Sequence, residues 1–131
     1  MAIPTSTGGD ISGSNRLPFN SLIIGNPSHY NTSLFQYIVP VDGVYYFNYQ
    51  SEQPTSTSGT ISDLVRSSGG VVSSFRTQVN SSTTQGSFFF GAIALFDCLA
   101  GDLIYVQNKS FTGQVSRVAS FSSRFIGFKV S

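Results

Sequence analysis

The chain has 131 residues, of which 40% are hydrophobic, 14% aromatic and none tryptophan; that is enough for one domain with its own core. Only 10% of the residues are charged and the net charge is +1, where an average soluble domain carries roughly 25% charged residues. The seven basic residues are scattered, which argues against nucleic-acid binding, because phosphate neutralisation needs clustered Lys and Arg; no stretch approaches the roughly 20 apolar residues of a membrane-spanning helix.

Residues 1–15 mix Ser, Thr, Gly and Asp with a few apolar residues. They read as a flexible lead-in without the charged start and apolar centre of a secretory leader. The globular domain is expected over 16–131. No ten-residue segment shows apolar spacing of three and four, so no helix is expected. The first strand is predicted at 19–24, stopped by Gly25-Asn26-Pro27, and the second at 35–39.

The most informative segment follows. Asp42-Gly43 makes a turn, since glycine tolerates positive φ. A strand over 44–50 then alternates. Tyr45, Phe47 and Tyr49 share one face, which is uniformly aromatic and suited to a core. Val44, Tyr46 and Asn48 share the other, which is mixed yet still carries a large ring. A strand that needs cover on both sides implies a sheet whose outer face meets another chain.

Further strands are predicted at 60–66, 71–79, 87–98 with a bend near Gly91, 103–108 and 121–130. Ser67-Ser68-Gly69-Gly70 links the first two as a hairpin. Many short strands spaced this way imply a sandwich or jelly roll.

Chemistry-bearing residues are sparse. Cys98 is the sole cysteine, so the chain has no internal disulfide. It alternates with Phe96 and Ala94 and reads as a small buried hydrophobe; a reactive thiol or a bridge between chains is the alternative, but no His or basic residue lies close in sequence to activate it. His29 is the sole histidine, so any catalytic triad must use it, and no Gly-x-Ser-x-Gly elbow exists. An enzyme is therefore not expected, and one His with one Cys does not make a structural zinc site. The acidic residues Asp10, Asp42, Glu52, Asp63, Asp97 and Asp102 show no Asp-x-Asp spacing; Asp42 and Asp102 stand beside glycine as turn formers. Asn31-Thr32-Ser33, Asn80-Ser81-Ser82 and Asn108-Lys109-Ser110 fit the glycosylation acceptor pattern.

Four segments together resemble the globular head of complement C1q. They are His29-Tyr30-Asn31-Thr32-Ser33 with Tyr37, the run from Pro40 through Tyr49 with its Gly-x-Tyr-x-Phe-x-aromatic pattern, the run from Phe96 through Gln107 around Gly101-Asp102, and Phe121-Ser122-Ser123-Arg124-Phe125-Ile126-Gly127-Phe128. The collagen-like Gly-x-y stalk of many members is absent.

The resemblance implies an all-β, ten-stranded jelly-roll sandwich that assembles as a homotrimer, like the tumour-necrosis-factor family. It implies a secreted, extracellular recognition protein. The expected job is multivalent, lectin-like binding of carbohydrate or microbial patterns in innate immunity. A structural or signalling trimer without glycan binding (a matrix, spore-coat or fibre-tip knob, or a cytokine-like ligand) is the alternative. By position, Tyr46, Asn48, Ile93, Leu95 and Phe125 would form the trimer interface. Arg76, Asn108, Lys109 and Arg117 are the candidate ligand-binding residues, expected in loops between strands. No cofactor is expected; an integral calcium site stays open, because some members of the family bind calcium and distant loops can converge their oxygens.

Overall fold

The computed structural model describes residues 1–3, 9–11, 16, 17, 19, 21, 22, 25–54, 60–79, 87–108, 116–118 and 123–131. Among these the architecture is all-β. Two five-stranded sheets pack face to face, and a two-stranded ribbon is hydrogen-bonded to neither. The first sheet has the order β3 (Ser21–Leu22), β1 (Ala2–Ile3), β12 (Arg124–Lys129), β6 (Gly43–Pro54), β9 (Ser87–Cys98). The second runs β4 (Tyr30–Asn31), β5 (Gln36–Ile38), β10 (Leu103–Asn108), β7 (Thr60–Ser68), β8 (Val71–Val79). The ribbon pairs β2 (Gly9–Ile11) with β11 (Ser116–Val118). This is a jelly roll. The strand count departs from the expected ten: twelve segments are described, six of them only two or three residues long.

Strands β6 and β9 form the spine, paired antiparallel from Gly43↔Cys98 to Pro54↔Ser87. The alternation expected for β6 places its aromatics as predicted: Tyr45, Phe47 and Tyr49 are all buried. Phe47 sits at the hub of the core. Its ring centroid lies 5.4 Å from Tyr37, 5.9 Å from Phe125, 6.1 Å from Tyr45 and 6.2 Å from Phe96. Offset and edge-on ring pairs at such distances each contribute about 0.5–1.5 kcal/mol beyond area burial. The buried tyrosine hydroxyls of the core find partners. Tyr30 donates to the Phe19 carbonyl at 2.7 Å and Tyr45 to the Val41 carbonyl at 2.9 Å. The Tyr49 hydroxyl shares a short hydrogen bond with the Ser62 hydroxyl across the two sheets.

Glycine is required at several points of this frame, among them the β7–β8 turn and β12. Gly69 and Gly70 take φ of 55° and 87° in the β7–β8 hairpin turn, a region that costs L residues about 1–2 kcal/mol each. At Gly127 a Cβ would overlap the Phe47 ring, so β12 passes over the core hub only because it is bare there.

The turns hold together through carboxylates, in line with the roles expected of them. Asp102 accepts from the Leu99 amide at 2.9 Å within the β9–β10 turn, and Asp42 accepts from the Ala100 amide at 2.8 Å, tying the β5–β6 turn to it.

The polar N-terminal stretch is not wholly a lead-in. Ala2 pairs with Phe125 and with Leu22 and is buried, and residues 9–11 pair with Ser116–Val118. Backbone pairing needs no run of apolar side chains, so composition hid both segments.

Cys98 is a free, buried thiol. Burial, with Asp102 next, pushes its pKa up to about 11 from 9.0. Burial also pushes Tyr37 up to about 12 from 10.0, with Tyr45 and Cys98 adding to the shift. Both groups keep their protons longer folded than unfolded, so the folded state is favoured in full below pH 9 and loses ground as pH rises through 11 to 12. The melting temperature is expected to decline steadily over that window. A flat profile to pH 12 would contradict the burial of both groups.

Candidate self-association face

The outer side of the first sheet is the most distinctive surface of the molecule. The ladder β9–β6–β12 aligns side chains in rows: Ile93 with Asn48 and Ile126, then Leu95 with Tyr46 and Phe128. Ile93 is 62% exposed, Leu95 60% and Phe128 52%. Tyr46 stacks on Phe128 with ring centroids 4.9 Å apart, and its hydroxyl accepts from the Asn48 amide at 3.1 Å. The face is thus apolar, aromatic and locally pre-ordered. It consists of directly opposed cross-strand neighbours, which lie about 4.5–5.5 Å apart. Uncharged patches of large side chains on a sheet face are uncommon on monomers and mark interaction surfaces.

Four of the residues expected at an interface, Tyr46, Asn48, Ile93 and Leu95, lie on this face. The fifth does not. Phe125 is 3% exposed and pairs with Tyr49, so it points into the core, where it packs on Phe19, Tyr30 and Phe47. The parity of β12 was read one residue out of step. Large apolar residues occupy both parities of the segment, at Phe125 and at Ile126 and Phe128, so alternation alone does not choose between them. The bare Gly127, which must sit over Phe47, is the signal that fixes the register. Phe128 and Ile126 are the residues that reading missed.

The four candidate ligand-binding residues do not form one loop cluster. Arg76 lies within β8, not in a loop, and grips Asp63 of β7 with Nε and Nη2 at 2.9 and 3.1 Å. This two-pronged hydrogen bond raises the Arg76 pKa. Asp63 is buried beneath an exposed Arg76, so the guanidinium serves first to neutralise that carboxylate. Asn108 ends β10 opposite Ser62, whose other neighbour is Thr77. It therefore shares an end of the second sheet with Arg76, two strands away. Arg117 belongs to the β2–β11 ribbon. Lys109 lies outside the described residues. Among the described residues no three His, Cys, Asp or Glu gather as metal ligands, and no helix is long and apolar enough to cross a membrane.

Two stacked antiparallel sheets in jelly-roll order, one with an uncovered aromatic face, define a β-sandwich. The chain belongs to the C1q domain family, whose pattern matches residues 5–130. Its backbone is similar to the globular domain of zebrafish complement 1qA, with a TM-score of 0.79 at 16% identity, covering 99% of this chain and 94% of that one. It is similar also to Eiger TNF from S. frugiperda (TM-score 0.77, 18% identity, 99% and 89% covered). Murine APRIL at pH 5.0 gives a TM-score of 0.75 at 17% identity, with 98% and 95% covered. The fold is thus shared by C1q and tumour-necrosis-factor proteins. Among curated proteins no match is found.

Proposed function

We propose that this chain is a secreted, self-associating recognition protein: a homotrimer of C1q domains that binds carbohydrate or microbial surface patterns by multivalency. The observation that carries the reading is the uncovered face formed by Ile93, Leu95, Tyr46 and Phe128. Burying such a face against copies of the same chain recovers roughly 25 cal/mol for each Å² of apolar surface removed from water. Three copies follow from the resemblance to the C1q head.

Trimeric assembly gives three identical sites on one rigid body, so weak individual contacts combine into avidity gains of about 10²–10⁴. The weakly charged, Ser- and Thr-rich composition suits neutral glycans better than nucleic acids or anionic membranes. Asn108, Lys109 and Arg117 remain the positions proposed for ligand contact. Arg76 takes a lesser place among them, because its charge is committed to Asp63.

A glycan array probed with the assembled protein tests this reading. Selective signal that falls by about 10²-fold when the assembly is broken is the expected result. Uniform silence across neutral and microbial glycans would contradict it. Silence would support the second reading, a structural or signalling trimer, which the likeness to Eiger TNF and APRIL favours.

A further inference from the structure

A second feature lies away from the candidate ligand residues. A cavity of about 240 Å³ opens where β1 and β12 of the first sheet meet β4, β5 and the turn at residues 25–29 of the second. Its walls include Asn26 and the rings of His29, Tyr30, Tyr37, Phe125 and Phe128. Phe125 is buried while Phe128 stands half exposed at the side facing solvent. His29 meets Tyr37 edge-on at 6.5 Å.

We propose that this cavity binds a small uncharged aromatic ring carrying one polar group, of the phenol or indole class. Size is the first argument. An apolar cavity of about 150 Å³ holds benzene, so about 240 Å³ accommodates a substituted or fused ring. Charge is the second. No Asp, Glu, Lys or Arg side chain lines the cavity among the described residues. A charged ligand would enter without a partner.

Hydrogen bonding decides between an aromatic ring and a sugar. The Asn26 side-chain oxygen already accepts from the Ser28 amide, and the Tyr30 hydroxyl already donates to the Phe19 carbonyl. His29 and Tyr37 also line the cavity, and neither the imidazole nor the Tyr37 hydroxyl is hydrogen-bonded to another described residue. With the Asn26 side-chain NH2 and the accepting side of the Tyr30 hydroxyl, that complement serves a few polar groups, fewer than the hydroxyls of a sugar ring. A pyranose brings about five hydroxyls, and each one buried without a partner weakens binding by roughly tenfold or more. An aromatic ring instead gains edge-to-face contacts with Tyr37, Phe125 and Phe128.

Phe128 also belongs to the outer face, where it stacks on Tyr46, so one side chain forms a wall of the cavity and part of the self-association face. All the residues that line the cavity belong to one chain.

Calorimetric titration of the full chain with indole, and in parallel with glucose, tests the proposal. Indole is expected to bind with a Kd of about 0.1–1 mM, in keeping with the efficiency of small ligands, and glucose to give no heat. His29→Ala and Phe128→Ala are each expected to weaken indole by about fivefold or more. Val72→Ala, on the distant β7–β8 hairpin, is expected to leave the affinity unchanged. Because His29 lies off the outer face, its loss reads the cavity and not the assembly; Tyr37→Phe, which keeps the ring, gives a second reading. No binding of indole at about 5 mM, equal or better binding of glucose, or unchanged affinity in both His29→Ala and Phe128→Ala would overturn the proposal.

Discussion

Replacing Phe47 with alanine is expected to lower stability by about 3–5 kcal/mol, the usual cost of a phenyl ring removed from a packed core. Phe47 is fully buried and its ring meets those of Tyr37, Tyr45, Phe96 and Phe125. The void it leaves is walled by aromatic side chains drawn from both sheets, which cannot slide in without giving up their own contacts. Against a total of about 5–15 kcal/mol for a domain, the loss takes away a large part of the margin and lowers the melting temperature by about 10–20 °C. A thermal melt beside Ile93→Ala is the check. Ile93 is exposed in the single chain, so its truncation is expected to change the stability of the subunit itself by less than about 0.5 kcal/mol. Equal effects at the two positions would mean that the aromatic hub does not hold the sheets together.

The second large effect concerns assembly. Leu95→Glu places a carboxylate in the middle of the row Leu95, Tyr46, Phe128. Covered by another copy, that charge is taken out of water among the apolar side chains of its row, and burying an ion costs several kcal/mol. Each contact between copies carries the same penalty, so the assembly is expected to come apart at micromolar concentration. The subunit itself is expected to keep its fold, because Leu95 is 60% exposed in the single chain. Sedimentation velocity with circular dichroism on the same sample separates the outcomes: a folded single chain is expected, while an intact oligomer would place the interface elsewhere.

Much of this arrangement was legible before the structure. The alternation in β6 was readable because every inward position from Tyr45 to Tyr49 is aromatic while the outward positions are mixed. The strands at 71–79, 87–98 and 103–108 were bounded correctly, since glycines, turn carboxylates and polar runs flank them. The short strands β1, β2, β4 and β11 were not legible. Each has only two or three residues, too few to show a period, and each exists through backbone pairing with a segment that is distant in the chain or itself short. The parity of β12 failed for a related reason: large side chains on both faces erase the contrast on which alternation depends. Arg76 was expected in a loop although it, with Ser73, Ser74 and Thr77, falls inside the strand expected at 71–79. They lie in a strand because the Gly69-Gly70 turn folds that segment back on β7. Its ion pair with Asp63 joins residues thirteen apart in sequence, which spacing alone does not reveal.

The outer-face residues were legible in type but not in extent. Sequence parity found Tyr46, Asn48, Ile93 and Leu95. Only the register between strands shows that they join Phe128 and Ile126 in one continuous patch. That continuity matters, because scattered single hydrophobes are ordinary on a surface, whereas a contiguous patch calls for a partner.

Multi-angle light scattering of the native protein at micromolar concentration is the most direct test of whether copies of the chain cover that patch. Three copies of the 14.1 kDa chain, a particle of about 42 kDa, is the expected mass. A particle of 14.1 kDa that stays folded across the same range would leave the aromatic face in water and contradict the account.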